Sequence, residues 1–172
     1  MQAKVWVRST MAAAATAAVL HGSMPSAAAA TATANLTVTA TVTNNCTIST
    51  APVAFGNYDP VVANASTSLD STGTVTVACT KGATATVGLS LGSNPSGSTR
   101  RLKDGGTNVL AYELYQDSGR STVWGNAGAA LLSPGAAPSK APRSFTVYAR
   151  VPSGQDVPAG NYTDTVVATV NF

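Results

Sequence analysis

The chain is 172 residues long, 44% hydrophobic and only 10% charged, with 10 Lys and Arg against 7 Asp and Glu. Its single histidine, His21, falls within the first thirty residues, which excludes imidazole acid–base chemistry, most hydrolase triads and histidine-based metal sites from the rest. Lys4 and Arg8 fall there too, so the remainder is nearly neutral and the basic balance carries no argument for a nucleic-acid partner.

Residues 1–30 read as a cleavable signal peptide. Lys4 and Arg8 make a positive start, Met11 to Leu20 is a short apolar run, and Ala28-Ala29-Ala30 is a cleavage site of the A-x-A type. The apolar run is about half of the roughly 20 residues that span a bilayer, which argues against a membrane anchor. The remainder, 31–172, suits one domain with one core.

The next segment, 31–45, is the most informative. Leu36, Val38, Ala40 and Val42 alternate with Thr37, Thr39, Thr41 and Thr43. Period two makes this a β-strand with one apolar face and one hydroxyl face, and such a strand needs a sheet to complete. Cys46 to Phe55 is extended and interrupted by Pro52, as in an edge or bulged strand. Residues 56–71 read as a polar loop. Thr74 to Thr80 and Ala83 to Leu91, joined at Lys81-Gly82, read as a β-hairpin. Arg100, Arg101 and Lys103, followed by Asp104 and two glycines, read as a solvated turn.

Asn108 to Gln116 alternates again, with Leu110, Tyr112 and Leu114 on one face. Thr122 to Trp124 is a short extended piece, and the Gly/Ala/Pro-rich stretch 125–143 is a surface connection. Ser144 to Val151 alternates Phe145, Val147, Ala149 and Val151 with Thr146, Tyr148 and Arg150. The last strand, Asn161 to Phe172, offers Tyr162, Val166, Ala168, Val170 and Phe172 to one face. Tyr162 is placed to act as a corner tyrosine bonding back to the backbone, and Asp164 to fix a turn or pair at the surface.

Cys46 and Cys79 form an even pair in an exported chain, which predicts a disulfide. The spacing is not that of a redox C-x-x-C pair. No stretch beyond the signal shows a 3.6-residue apolar period. About seven strands at this spacing predict an all-β, antiparallel sandwich of immunoglobulin-like type. A sandwich ending on its sixth core strand would leave an open edge and an apolar groove beside that strand. The spare strand at 31–43 has the character to fill such a groove by strand addition, with Leu36, Val38, Ala40 and Val42 in successive pockets.

The C-terminal GNYTDTVVATVNF, Gly160 to Phe172, closely resembles the end of the spore coat protein U family, which includes the pilins of archaic (Csu-type) chaperone–usher pili. Cys46-Thr47-Ile48 after an alternating strand, Arg101-Leu102-Lys103, and the run from Leu110 to Asp117 leading to Trp124-Gly125 match as well. The matching pieces run in order from Leu36 to Phe172. The resemblance implies an incomplete immunoglobulin-like domain, 46–172, completed by a donor strand from another chain. A periplasmic chaperone would lend a strand first, and an outer-membrane usher would exchange it for residues 31–45 of a neighbouring subunit. The acceptor groove would lie between Cys46–Phe55 and Tyr162–Phe172. The implied product is a cell-surface or extracellular fibre serving attachment and biofilm formation, with no cofactor, no nucleic acid and no small-molecule substrate.

Two alternatives stand beside this reading. A self-contained secreted sandwich would fold 31–43 back onto its own sheet, although only Asn44 and Asn45 separate that segment from Cys46. A small outer-membrane β-barrel is compatible with the terminal Val170-Asn171-Phe172, but with Trp124 the only tryptophan after the signal it shows no aromatic girdles. An enzyme is not expected, because the acids are scattered and none makes a paired or calcium-loop pattern.

Overall fold

The structure, a computed structural model, describes residues 28–172; most of the expected signal, 1–27, lies outside them. The chain divides into two units, Met1–Thr39 and Ala40–Phe172. In the first, residues 28–39 form neither strand nor helix, and Leu36 and Val38 are exposed.

The second unit is built from seven strands: β1 (Cys46–Ala51), β2 (Leu69–Cys79), β3 (Thr86–Leu89), β4 (Arg100–Lys103), β5 (Val109–Tyr115), β6 (Arg143–Val151) and β7 (Ala168–Asn171). A single 3-10 turn at Gly128–Ala130 is the one helical element among the described residues. The strands form a five-stranded antiparallel sheet in the order β1-β2-β6-β5-β4 and a two-stranded sheet of β3 and β7. The larger sheet is open, with β1 and β4 at its edges, and the core is filled by side chains; both features set the barrel alternative aside.

Alternation dictates the core. Val75, Val77 and Cys79 of β2, Leu110, Tyr112 and Leu114 of β5, and Val147, Ala149 and Val151 of β6 are all buried, because every second side chain points to one face. The opposite face is polar: Thr76 and Ser144 bond through their hydroxyls, and Arg150 makes a two-pronged contact with Asp70. In β3 the alternation lapses, and Val87, Gly88 and Leu89 are all buried. The loop after β5 covers its outer side so closely that a Cβ at Gly88 would lie 2.9 Å from Leu131 and 3.1 Å from the Asn126 backbone. Trp124, fully buried, holds that loop down by donating its indole N–H to the Val87 carbonyl.

Three sequence expectations need correction. The segments 74–80 and 83–91 do not form a hairpin: β2 pairs with β1 and β6, and β3 pairs with β7 in the other sheet. The Lys81-Gly82 turn is real, with Gly82 at φ +84°, but it carries the chain across the sandwich, and the Gly82 N–H donates to Ala137. The polar loop before β2 ends earlier than expected, because Leu69 to Gly73 continue the ladder with β6. The basic cluster is not a solvated turn but strand β4, and Arg100 is 0% exposed. Arg100 donates from Nε to Ser90, from Nη2 to Leu89 and Trp124, and from Nη1 to the Glu113 carboxylate. The convergence of three backbone carbonyls and one carboxylate makes burial of this guanidinium tolerable.

Candidate functional site

The sandwich is closed on one side and open on the other. β1 is the last strand of the large sheet and β7 the last of the small one; they run close together, yet no ladder joins them. Beyond Ala51 the chain peels away from β2 through Pro52 and Val53. Gly73 marks the departure point: a Cβ there would lie 2.7 Å from Val53 and 3.0 Å from the Ala51 carbonyl. A side chain at 73 would therefore push this edge outward.

Between the two edges lies a cavity of about 290 Å³. Val75, Leu114 and Val147 form its floor, Val53 and Phe55 one wall, and Val166 and Ala168 the other. Phe55 stacks edge-on against Tyr112, with ring centroids 6.1 Å apart. A second and wider hollow of about 790 Å³ shares Val53, Phe55, Leu102 and Asp164 with the first and continues past Leu69, Leu110 and Val157. The two make one trough along the seam between β1 and the segment leading into β7. Apolar walls beside unpaired strand edges can accept an added strand, which supplies ladder hydrogen bonds and alternate side chains at once.

Of the expected acceptor residues, Val166 and Ala168 line the first hollow and Tyr162 the second, while Val170 and Phe172 line neither. Tyr162, Asp164, Val166, Ala168 and Val170 are half-buried and alternate with exposed neighbours, while Phe172 at the end is 56% exposed. Ladder pairing covers only residues 168–171. Upstream, the Thr163 and Lys103 backbones exchange two bonds of 2.9 Å, the Ser90 N–H donates to the Val167 carbonyl, and side chains hold the rest. The Ser90 hydroxyl accepts the Val167 N–H at 2.9 Å, and the Ser93 hydroxyl donates to the Thr165 carbonyl. Asp164 accepts the Ser93 N–H at 2.8 Å, the Asn94 amide at 3.2 Å and the Tyr112 hydroxyl at 2.7 Å. Gly92 makes room for this knot: at φ +81° it has no Cβ, where one would sit 1.9 Å from Asp164 Oδ2. Burial first, and then the Asp164 carboxylate, push the Tyr112 hydroxyl pKa far up, so it remains a neutral donor. Asp164 thus fixes a turn, as expected. Tyr162 is the expected corner tyrosine, donating its hydroxyl to the Pro158 carbonyl at 2.9 Å.

The four residues read as donor side chains are exposed: Leu36 at 87%, Val38 and Val42 at 83%, and Ala40 also at the surface. The predicted disulfide is present. Cys46 and Cys79 are directly opposite in the β1–β2 ladder, and the bond staples the start of the groove-bearing strand to the core. Sequence reasoning set Cys46–Phe55 on one flank of the groove, where Val53 and Phe55 lie, but missed the groove's floor. Alternation does mark Val75, Leu114 and Val147 as inward-facing, but no local signal says which inward residues lie beneath a seam. Among the described residues no cluster of His, Cys, Asp and Glu is arranged to hold a metal ion, and no helix is long and apolar enough to cross a membrane.

Comparison with known proteins agrees with this geometry. Residues 32–169 match the family model of the Spore Coat Protein U domain. Protein U of Myxococcus xanthus is 43% identical, with 95% of this chain and 97% of that protein covered. Among solved structures, the chain resembles one in the crystal structure of a CsuC–CsuE chaperone–tip adhesion subunit pre-assembly complex, from the archaic chaperone–usher Csu pili of Acinetobacter baumannii. That match has a TM-score of 0.53 and 21% identity and covers 77% of this chain. The chain spans 41% of the length of that solved chain, and the likeness is one of fold.

Proposed function

This chain belongs to the Spore Coat Protein U family, and from that premise we propose that it is a subunit of a surface fibre or coat, polymerised by exchange of residues 31–45 between copies. Membership of this family makes it a structural protein and not an enzyme. The observation that carries the polymer reading is the pairing of two features. One is an apolar trough between unpaired edges at β1 and β7. The other is a segment whose apolar side chains, Leu36, Val38 and Val42, are exposed. Burying one leucine and two valines is worth on the order of 5–8 kcal/mol before ordering costs, and ladder bonds along both edges add to it.

In this reading residues 1–30 direct export and are removed, 31–45 are the donor and 46–172 the acceptor domain. A periplasmic chaperone occupies the trough first, and an outer-membrane usher replaces it with the next subunit's donor. The fibre then reaches the cell surface, where it serves attachment and biofilm formation. The open seam supports the chaperone step, because such an edge left bare would pair indiscriminately.

The test is assembly in the native secretion background. Deletion of 31–43 is expected to leave export intact and to abolish surface polymer, read as loss of the ladder in unboiled gels of sheared material. Val38→Asp and Val42→Asp each place a charge where an apolar pocket is proposed and should weaken the ladder strongly. Normal polymer from the deletion would end the reading.

A further inference from the structure

The segment proposed to reach another copy is joined in sequence to an edge strand of its own domain, and something must stop it from completing that edge. β1 is an edge strand whose core-facing residues are Cys46 and Ile48. Two tight loops could fold the preceding residues back against it. A two-residue loop at Asn44-Asn45 would place Thr43 opposite Cys46 and Thr41 opposite Ile48. That register turns the threonines inward and Val42, Ala40 and Val38 outward, so the alternation itself defeats it. A three-residue loop at 43–45 would set Val42 opposite Cys46 and Ala40 opposite Ile48, with the apolar face inward. This second hairpin is the real competitor. It requires the Asn45 N–H to donate to the Val42 carbonyl and Asn45 to adopt a left-handed backbone, as the first residue of a G1 bulge.

The structure withholds both requirements. The Asn45 N–H donates instead to the Thr80 hydroxyl at 3.1 Å, and the Thr80 N–H donates to the Asn45 carbonyl at 2.9 Å. The hydroxyl's own proton reaches the Thr43 carbonyl at 3.2 Å, with the Asn45 carbonyl at 3.4 Å. A hydroxyl can accept and donate together, so this one side chain ties both ends of the Thr43–Asn45 stretch. Asn45 has no positive φ; Arg120 is the one non-glycine residue with a positive φ among those described. The neighbouring disulfide, at the next ladder position, holds Thr80 and Asn45 in line.

We propose that Thr80 is a positioning residue that locks residues 43–45 as a straight continuation of β1 and so blocks the three-residue hairpin by which a subunit would complete itself. The inference rests on the strand-exchange reading for its biological purpose, but its test does not depend on polymer. The full secreted chain, dilute enough to be monomeric, is followed by hydrogen exchange at residues 36–42, upstream of the bonded Asn45 amide. In the unaltered chain and in Thr80→Ser, which keeps the hydroxyl, these amides should exchange freely. In Thr80→Val, which keeps the shape and loses the hydroxyl, they should slow by about tenfold or more as the hairpin ladder forms. Asn45→Gly, which admits the left-handed backbone while leaving Thr80 in place, should slow them too. It also covers the case of Thr80→Val failing to fold. Polymer yield should fall in the same two variants. Free exchange at 36–42 in both variants would overturn the Thr80 assignment. Slow exchange there, combined with normal polymer from Val42→Asp, would uphold the lock and sink the strand-exchange reading instead.

Discussion

The two long sides of the sandwich are finished to different standards. On the side of β3, β4 and the loop after β5, Trp124 and Arg100 are completely buried, and each polar atom of the guanidinium has a carbonyl or carboxylate to meet it. On the side of β1 and β7 the same chain leaves two strand edges unpaired, with Val53, Phe55, Val166 and Ala168 only half-buried around a cavity. One side is closed by side chains that reach across the sequence; the other carries a knot at Asp164 and a chain that leaves β2 after Ala51, opposite Gly73. The contrast shows where this domain is complete alone and where it calls for another strand.

The contrast can be broken most severely on the closed side. Arg100→Ala would leave the carbonyls of Leu89, Ser90 and Trp124 without their donor and the Glu113 carboxylate without its partner. The expected cost is about 3–5 kcal/mol, read from denaturant unfolding of the monomer. The next test compares matched truncations. Val87→Ala, at a fully buried site, should cost about 2–3 kcal/mol. Val166→Ala, on the open seam, should cost less than about 1 kcal/mol in the free subunit. If the seam is filled in the polymer, the second penalty should grow there while the first stays the same. Equal costs in the free subunit would mean the two sides do not differ.

The smallest effect belongs to the polar outer face. Arg150, by direct hydrogen bonding, holds the Asp70 carboxyl below its ordinary pKa. The stability this contributes is present above the unfolded carboxylate's pKa and is lost as pH falls through the lower folded value. The pair is about one-third exposed, so screening limits it to less than about 1 kcal/mol. Asp70→Asn should flatten the acid limb of stability slightly, an effect that added salt should erase.

Much of the closed side's scaffold was legible in the sequence. Leu110, Tyr112 and Leu114, and Val147, Ala149 and Val151, alternate cleanly and form β5 and β6. What alternation cannot state is partnership. Lys81-Gly82 is a sound turn signal, yet a turn says nothing about whether the next strand stays in the sheet or crosses to the other. Arg100 was misread because its charge is local information, whereas the carbonyls of Leu89, Ser90 and Trp124 that receive it come from two other parts of the chain. The open side was legible in outline. The parity of Tyr162, Val166, Ala168 and Val170 matches the expected inward face. That residues 161–167 would be held by Ser90, Ser93, Asp164 and a lone bridge to Lys103 rather than by a continuous ladder depends on meetings about sixty to eighty residues apart, for which the sequence carries no local mark.

The most direct test of the account is to supply the missing strand from outside. A chain carrying Val38→Asp and Val42→Asp keeps its trough but loses its own apolar donor. Its melting temperature is then measured against rising concentrations of a peptide spanning residues 31–43, with a control peptide in which Leu36, Val38 and Val42 are each replaced by Ser, so that no register presents an apolar face. A ligand that binds only the folded state at about a hundred times its dissociation constant adds about 2.7 kcal/mol. The melting temperature should therefore climb with the 31–43 peptide and stay flat with the control. A flat response to both peptides would contradict the claim that the seam between β1 and β7 is built to take this strand.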